Sequence, residues 1–266
     1  MTRISHRVSF IGGNQFDLAG ILDSPTVTPK AYLVFTHCFT CTKDIKVAVR
    51  VGRGLVEHGY AVLRYDLTGL GDSQGHFAHT NFTTNQADLL AAVGFLEIHH
   101  AAPKFLIGHS FGGLCSLSLA EQLPSVKGVV TLAAPSDTKH LANLLSNMNP
   151  QIEQQGQGSV RIGGRDHSIH HQMLMDFRQH DISRALRQLT KPTLLIHSLQ
   201  DETLGYEHVL RLFGLLTQRA EKDPPPSASS LVCLPHADHL LTSHPADLKF
   251  VVNTIAVWFD RLLADE

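Results

Sequence analysis

Residues 105–114 read FLIGHSFGGL. The segment opens with an apolar run suited to a buried strand, passes through Gly108-His109-Ser110-Phe111-Gly112, and continues with the apolar spacing of a helix. In this G-x-S-x-G pattern the chain turns sharply from strand to helix, and the glycines remove Cβ atoms that would clash with neighbouring backbone. The segment therefore predicts an exposed, nucleophilic Ser110 above the end of a sheet strand.

Strand-like and helix-like segments alternate on both sides of this turn. Short apolar runs suited to buried strands lie at 31–36, 61–65, 104–107, 126–132, 193–197 and 231–234. Helical spacing of apolar residues is found at 47–58, 85–97, 111–122, 207–218 and 245–263. This alternation predicts an α/β fold with a mostly parallel sheet and helices on both faces. Residues 7–11 and 16–22 flank a Gly-Gly-Asn turn and add an N-terminal antiparallel hairpin, which makes eight strands.

One segment interrupts the alternation. Residues 136–189, after the sixth strand, contain a polar run rich in Gln and Gly at 150–164, followed by a cluster of Met, Leu and Phe at 173–177. A connection of this length in a compact domain is usually functional or mobile. We expect a single domain over residues 1–266, in which 136–189 form a cap-like excursion. A mobile insertion without a role is the alternative.

Composition limits the possible functions. The 22 basic and 24 acidic side chains give a formal net charge of −2, so no broad basic surface for nucleic acid or anionic lipid is expected. No segment approaches the roughly 20 apolar residues of a membrane helix, and the N-terminus lacks the apolar core of a secretory signal. The four cysteines are too few for a disulfide scaffold and favour a reducing compartment, so we expect a cytoplasmic protein without membrane or nucleic-acid partners.

A nucleophilic serine needs a base and an acid that orients the base, and in this architecture the acid precedes the histidine. Asp201 follows the strand at 193–197 by a short turn, with Glu202 as the alternative acid. His239 lies in the loop after the last strand and is followed by two leucines that would anchor it, so we prefer it to His236. The predicted triad is Ser110, His239 and Asp201.

The oxyanion of a tetrahedral intermediate needs two backbone N–H donors. One is expected from the residue after the nucleophile, Phe111, and the other from the loop after the strand at 31–36, where Phe39 is the candidate. We expect His37 and Cys38 to shape this loop rather than to transfer protons.

Taken together, these residues resemble the α/β-hydrolase superfamily over essentially the whole chain. The resemblance rests on His37-Cys38-Phe39, on DLTGLGDS at 66–73, on 108–113, and on Asp201 and His239. More narrowly, HCFTCTKD (37–44), TGLGDSQG (68–75), TNF (80–82) and ADHLLT (237–242) resemble the hydrolase half of bifunctional proteins in which an α/β-hydrolase precedes an OsmC-type peroxide-reducing domain. The resemblance implies a stand-alone hydrolase or a separated half, functionally linked to an OsmC-type protein. Cys38 replaces the glycine that usually follows the oxyanion histidine.

Other chemistries compete with the hydrolase. Cys38 and Cys41 form a C-x-x-C between a strand and a helix, where a redox pair would also be found, although a redox role leaves the ordered triad unexplained. The 18 histidines raise the question of a metal, but no H-E-x-x-H or Cys/His cluster appears, and we predict no metal. Gly69-Leu70-Gly71 lacks the third glycine of a dinucleotide loop.

The sequence therefore predicts a serine hydrolase that cleaves a small or medium acyl ester or thioester through an acyl-enzyme, with no cofactor. The alternative is a thiol redox protein, or a non-catalytic partner of a peroxide-reducing protein, that uses the Cys38/Cys41 pair.

Overall fold

The fold is seen in a computed structural model that describes residues 2–217 and 228–264. The strands are β1 (Arg3–Ile11), β2 (Asp17–Pro25), β3 (Tyr32–Thr36), β4 (Ala61–Tyr65), β5 (Phe105–His109), β6 (Gly128–Leu132), β7 (Gln157–Ile162), β8 (Arg165–His170), β9 (Thr193–Ser198) and β10 (Ser229–Leu234). The α-helices are α1 (Lys46–Glu57), α2 (Phe82–His99), α3 (Phe111–Leu119), α4 (Lys139–Met148), α5 (Gln151–Gln155), α6 (His171–Gln179), α7 (Ile182–Gln188), α8 (Glu207–Thr217) and α9 (Pro245–Ala264). Gln218, the last residue of the helix expected at 207–218, is outside the described residues.

Eight strands form one sheet in the order β1-β2-β4-β3-β5-β6-β9-β10. The hairpin β1–β2 is antiparallel, β2 pairs antiparallel with β4, and every later pair in the sheet is parallel. The predicted α/β-hydrolase fold, with a mostly parallel sheet and an N-terminal antiparallel hairpin, is confirmed. Because all the parallel strands point the same way, the segments that follow β3, β5, β9 and β10 emerge at the same edge of the sheet.

Apolar side chains leave both faces of the sheet, as the short apolar runs require. In β5, Leu106 packs into the layer formed with α2 and α3, whereas Phe105 and Ile107 pack into the layer formed with α1 and α9. The Phe105 ring stacks on Phe259 of α9 at a centroid distance of 3.9 Å. Burial of β5 on both sides gives the strand that carries Ser110 a rigid support.

The insertion between β6 and β9 is more ordered than its polar sequence indicates. The polar run at 150–164 contains α5 and β7, and β7 pairs with β8 in a separate two-stranded antiparallel sheet. Val160 and Ile169 are the buried apolar residues of this ribbon, while most of its other side chains are at least partly exposed. A ribbon with so few buried residues does not produce the apolar alternation by which strands are recognised in a sequence.

Two further features differ from expectation. β1 and β2 each have nine residues, longer than the hairpin arms expected at 7–11 and 16–22, because the outer strand β1 is mostly exposed and its pattern is weak. Cys233, which lies in the apolar run at 231–234 and is therefore expected in the core, is exposed since β10 is an edge strand that pairs only with β9.

Within residues 2–217 and 228–264, no helix is both long enough and apolar enough to cross a membrane.

Candidate active site

Ser110 occupies a sharp turn between β5 and α3. Its backbone has φ +53° and ψ −122°, a conformation that residues with a Cβ rarely adopt. The Ser110 N–H donates to the carbonyl oxygen of Leu132 across 2.7 Å, which fastens the turn to the neighbouring strand. A Cβ on Gly108 would overlap the backbone of Gly112, and one on Gly112 would overlap the Thr36 and His37 carbonyl oxygens. The two glycines therefore permit the close approach that holds the serine in this conformation.

Ser110, His239 and Asp201 lie in a hydrogen-bonded line. His239 Nε2 is 3.0 Å from Ser110 Oγ, and His239 Nδ1 is 2.7 Å from Asp201 Oδ2. The second carboxylate oxygen of Asp201 accepts the N–H groups of Thr203 and Leu204 across 2.9 and 2.8 Å. Burial alone would raise the pKa of Asp201, but the hydrogen bonds from His239 and the two amides outweigh burial and lower it. The ionised Asp201 accepts the His239 Nδ1–H, which leaves Nε2 free to accept the serine proton.

The alternative residues lie outside this line. Glu202 and His236 border a neighbouring depression beside His239, and neither hydrogen bonds to the Ser110 or His239 side chain among the described contacts. The loop that carries His239 is held by Asp238, whose carboxylate accepts the N–H groups of Thr242 and Ser243 across 2.6 and 2.8 Å. These hydrogen bonds outweigh burial and lower the pKa of Asp238 far below its ordinary value.

The two residues that are expected to supply the oxyanion donors contact each other through their rings. The rings of Phe39 and Phe111 make an edge contact with centroids 5.8 Å apart, and neither residue's N–H has a backbone acceptor in the part of the chain that the structure describes. Phe177 of α6 packs against both rings, at 6.1 and 5.1 Å, and so joins the insertion to the loop and the nucleophile helix. Two backbone N–H donors beside a nucleophilic serine can stabilise the oxyanion that forms when its Oγ attacks a carbonyl carbon.

Cys38 and Cys41 are joined in a disulfide. The bond is compatible with the oxidised form of a C-x-x-C redox pair and does not by itself show a redox role. The Cys41 N–H donates to the Cys38 carbonyl oxygen across 3.1 Å, and Thr40 between them has φ +60°. The loop that offers the Phe39 N–H is thus a β-turn closed by a covalent bond.

His37 is buried directly before this turn. Its Nδ1–H donates to the Cys38 carbonyl oxygen across 2.8 Å, and its Nε2 accepts the Leu67 N–H across 3.2 Å. Burial lowers the pKa of His37, so the neutral ring holds two backbone segments together. Its position is that of a loop-shaping residue and not of a proton-transfer group.

A charge network centred on buried Lys43 lies next to the same loop, and sequence reasoning did not find this lysine. Lys43 Nζ donates to Asp66 and Asp72 across 2.8 and 2.6 Å, and the Lys43 N–H donates to Asp66 across 2.6 Å. Arg64 donates to the Lys43 carbonyl oxygen and forms an ion pair with buried Asp23. Lys43 belongs to the HCFTCTKD motif, and this motif is the feature of the sequence that could have identified it. The network anchors residues that follow the Cys38–Cys41 turn.

Two histidines beside the triad were also missed. His109 Nε2–H donates to the His239 carbonyl oxygen across 2.8 Å, and His197 Nε2–H donates to the Leu204 carbonyl oxygen across 2.9 Å. Burial lowers the pKa of both rings, that of His109 to about 3, so both are neutral. Their positions at the carboxyl ends of β5 and β9 were the only signal in the sequence.

A cavity of about 620 Å³ opens over Ser110. The Cys38–Cys41 turn, Ser110 and His239 form one side of it. The insertion supplies the other side, with apolar residues of α4 and β7, two arginines and one histidine of the ribbon: Leu141, Leu144, Met148, Ile162, Arg161, Arg165 and His167. In the described ranges 2–217 and 228–264, no group of three or more His, Cys, Asp or Glu side chains could hold a metal ion.

Known proteins resemble this chain in sequence and in structure. A family model described as serine aminopeptidase, S33, matches residues 27–157. The esterase domain from a Rhodothermus marinus protein is 33% identical, with a TM-score of 0.73 and coverage of 98% of this chain and 99% of that one. Palmitoyl-protein thioesterase ABHD10, mitochondrial, of Rattus norvegicus is 23% identical over 236 residues, which are 86% of this chain and 75% of the rat protein. Est1E from Butyrivibrio proteoclasticus, with ferulic acid bound, shares the fold at 21% identity, with a TM-score of 0.80 and coverage of 97% and 100%. Its 33% identity to the esterase domain over nearly the whole of both chains, together with its fold, shows that this chain belongs to the α/β-hydrolase superfamily, among its ester hydrolases.

Proposed function

We propose that this hydrolase cleaves acyl esters or thioesters through an acyl-enzyme formed on Ser110. The observation that carries the proposal is the line from Ser110 Oγ through His239 to Asp201, with hydrogen bonds of 3.0 and 2.7 Å. A serine hydroxyl is a weak nucleophile until a base removes its proton, and His239 is within hydrogen-bonding distance for that transfer.

The reaction follows from these positions. Ser110 Oγ attacks the acyl carbonyl carbon while its proton passes to His239 Nε2, and ionised Asp201 stabilises the imidazolium. The Phe39 and Phe111 N–H groups receive the developing oxyanion. His239 then gives the proton to the leaving alkoxide or thiolate, and the acyl group remains on Ser110. Water, activated by the same histidine, releases the acid and restores the serine.

We further propose that residues 136–189 act as a cap that binds the acyl chain. Leu141, Leu144 and Met148 of α4 line the cavity over Ser110, and a volume of about 620 Å³ accommodates a small or medium acyl group. The thioester class is supported by the name of the rat relative, a palmitoyl-protein thioesterase, and the ester class by the Rhodothermus marinus domain.

A fluorophosphonate probe tests the nucleophile without knowledge of the substrate. Peptide mapping after labelling should find a single adduct on Ser110, absent from Ser110→Ala and lost or greatly slowed in His239→Ala. His236→Ala and Glu202→Ala are matched controls, because they remove the neighbouring histidine and acid that lie outside the line, and they should label at the wild-type rate. Lack of labelling in the folded wild-type protein would overturn the proposal. A panel of matched oxoesters and thioesters then defines the preferred bond.

A functional link to an OsmC-type peroxide-reducing protein is a separate proposal. It is supported by the resemblance of residues 37–44, 68–75 and 237–242 to hydrolases fused to such domains. Purified chain should bind an OsmC-type protein from the same genome in a co-elution experiment, and separate elution at micromolar concentrations of both would count against it.

A further inference from the structure

The Cys38–Cys41 disulfide lies in the wall of the cavity that contains Ser110. Cys38 is 4% exposed, whereas Cys41 is only half-buried. Of the two residues, Cys41 therefore is the more accessible to a small thiol that enters the cavity. The other two cysteines offer no such site, because both are free thiols and neither is in a disulfide. Cys115 is buried in the core, and Cys233 is exposed on β10.

The disulfide closes a turn that has an unfavourable backbone conformation. The Cα atoms of Cys38 and Cys41 are 5.2 Å apart, and Thr40 at the third position of the turn has φ +60° while Phe39 does not have a positive φ. This is the pattern of a type II turn, which normally has glycine at the third position because residues with a Cβ disfavour positive φ. The disulfide between Cys38 and Cys41 joins the two ends of the turn and helps to keep Thr40 at positive φ.

The N–H of Phe39, the proposed oxyanion donor, belongs to the same turn. We propose that the Cys38–Cys41 disulfide is a thiol-exchange site that controls hydrolysis by holding the Phe39 N–H in place. This inference rests on the proposed function, since it needs the oxyanion of an acyl transfer at Ser110. Opening the disulfide releases Thr40 from positive φ, and the Phe39 N–H then leaves the position it needs.

The exchange uses a low-molecular-weight thiol or dithiol as reductant. A thiolate attacks Cys41 Sγ, a new S–S bond forms, and the Cys38–Cys41 bond breaks with its electron pair on Cys38 Sγ. The second thiol of a dithiol then displaces Cys41 Sγ from the mixed disulfide. The dithiol is oxidised by two electrons to its disulfide, and the protein disulfide is reduced to two thiols after protonation. Oxidation by a disulfide reverses the sequence.

The test compares oxidised and reduced protein. Wild-type enzyme is reduced with dithiothreitol, desalted under nitrogen, and assayed with a p-nitrophenyl ester, while alkylation and intact mass count the free thiols. Loss of one oxyanion donor costs about 100- to 1,000-fold in kcat, so partial displacement of Phe39 should lower kcat at least about tenfold in the reduced enzyme. Reoxidation should restore the rate. Equal kcat in the oxidised protein and in protein with both thiols free would overturn the inference.

Thr40→Gly separates control through the turn from any other effect of reduction. Glycine tolerates positive φ, so the reduced turn should keep its form, and the ratio of oxidised to reduced kcat should fall close to one. This ratio is taken within each variant, so a change in the variant's own activity does not affect it. A ratio as large as that of the wild type would show that the turn is not the controlling element.

Two more variants complete the design. Cys38→Ser with Cys41→Ser should have low kcat that does not respond to dithiothreitol, whereas Cys233→Ser should respond like the wild type. The same measurements distinguish failure of the proposed function from failure of this inference. Oxidised protein that neither labels with fluorophosphonate nor hydrolyses any ester would overturn both proposals. Oxidised protein that labels at Ser110 but ignores reduction would overturn only this one.

Discussion

The Nε2–H of His109 donates a hydrogen bond to the backbone carbonyl oxygen of His239 across 2.8 Å. A carbonyl oxygen can only accept, so this nitrogen carries the proton, and burial lowers the pKa of His109 to about 3, which keeps the ring neutral. The two imidazoles are 5.1 Å apart between centroids. His109, which directly precedes Ser110 in the chain, therefore links the loop of His239 to the end of β5.

Replacing His109 should affect turnover more than substrate binding. His109→Phe keeps an aromatic ring but removes the donor to the His239 carbonyl oxygen, so we expect kcat to fall on the order of 10- to 100-fold with little change in KM, since a displaced base slows proton transfer. His109→Gln can still donate from its amide and should recover part of the rate. Steady-state kinetics and thermal unfolding of both variants provide the check. Equal kcat in the Phe variant and the wild type would exclude a positioning role.

Asp201→Asn should abolish most activity without unfolding the protein. The amide retains the shape of the side chain and can still accept the Thr203 and Leu204 N–H groups, but it loses the charge that stabilises the His239 imidazolium. By analogy with serine proteases, we expect kcat to fall about 1,000-fold or more. Single-turnover kinetics with an activated ester measure the loss of the acylation step. Glu202→Gln is the neighbouring control and should keep the wild-type rate.

Much of the architecture could be predicted because it follows local rules. Ser110, Asp201 and His239 each come shortly after an apolar strand, and parallel strands deliver the residues that follow them to the same edge of the sheet. The alternation of apolar runs and helical spacing predicts six of the eight strands of the sheet, and the Gly-Gly-Asn turn predicts the hairpin that adds the other two. The preference for Asp201 over Glu202 rested on distance from the strand end, and the structure brings Asp201 to His239.

Other features depend on contacts between distant segments and leave little trace in the sequence. The β7–β8 ribbon buries mainly Val160 and Ile169, too few for a recognisable pattern. The bond between His109 and the His239 carbonyl joins residues 130 positions apart. Residues of α4 line the cavity because the insertion folds back over Ser110. The ring contact between Phe177 of the insertion and Phe111 of α3 holds it there. None of these contacts follows from periodicity.

Acid should destabilise the protein well above the ordinary pKa of a carboxyl group. In the folded state burial lowers the pKa of His37, and lowers that of His109 to about 3, while unfolded histidine titrates near 6.5. Below about pH 6.5 the unfolded chain binds protons that the folded chain excludes, so stability falls as pH falls, down to about 3 for His109. Each such histidine contributes at most about 1.4 kcal/mol per pH unit. Urea unfolding at several pH values measures the slope.

His109→Phe is the variant for this measurement, because it removes one titrating group. Its free energy of unfolding should change less steeply between about pH 6.5 and 4.5 than that of the wild type. Asp201 and Asp238 act in a lower window, since their lowered pKa values stabilise the fold above the ordinary carboxyl pKa and the loss begins only as pH falls through that value. Parallel slopes for variant and wild type would mean that His109 does not stay neutral in the folded protein.

Gly112 at the nucleophile turn should be required for stability and activity, whereas Gly94 in α2 should not be. A Cβ on Gly112 would overlap the carbonyl oxygens of Thr36 and His37, so Gly112→Ala should destabilise the fold by more than about 2 kcal/mol and remove activity. Gly94 lies inside α2, where a Cβ would meet no atom within 4 Å, and Gly94→Ala should stabilise the protein by about 0.5 to 1 kcal/mol. Chemical denaturation of both variants tests the contrast.

The pair of Lys43 and Asp66 should be far more important for stability than an ion pair at the surface. Both side chains are buried, and Lys43→Met leaves the Asp66 carboxylate without its cation, which should cost about 3 to 5 kcal/mol. Lys43→Met with Asp66→Asn removes both charges and should be more stable than the sum of the single changes predicts. The exposed pair of Lys30 and Asp260 is the control, and Lys30→Met should cost at most about 1 kcal/mol. Additive losses in the Lys43 and Asp66 cycle would show that the loop after the disulfide does not depend on this pair.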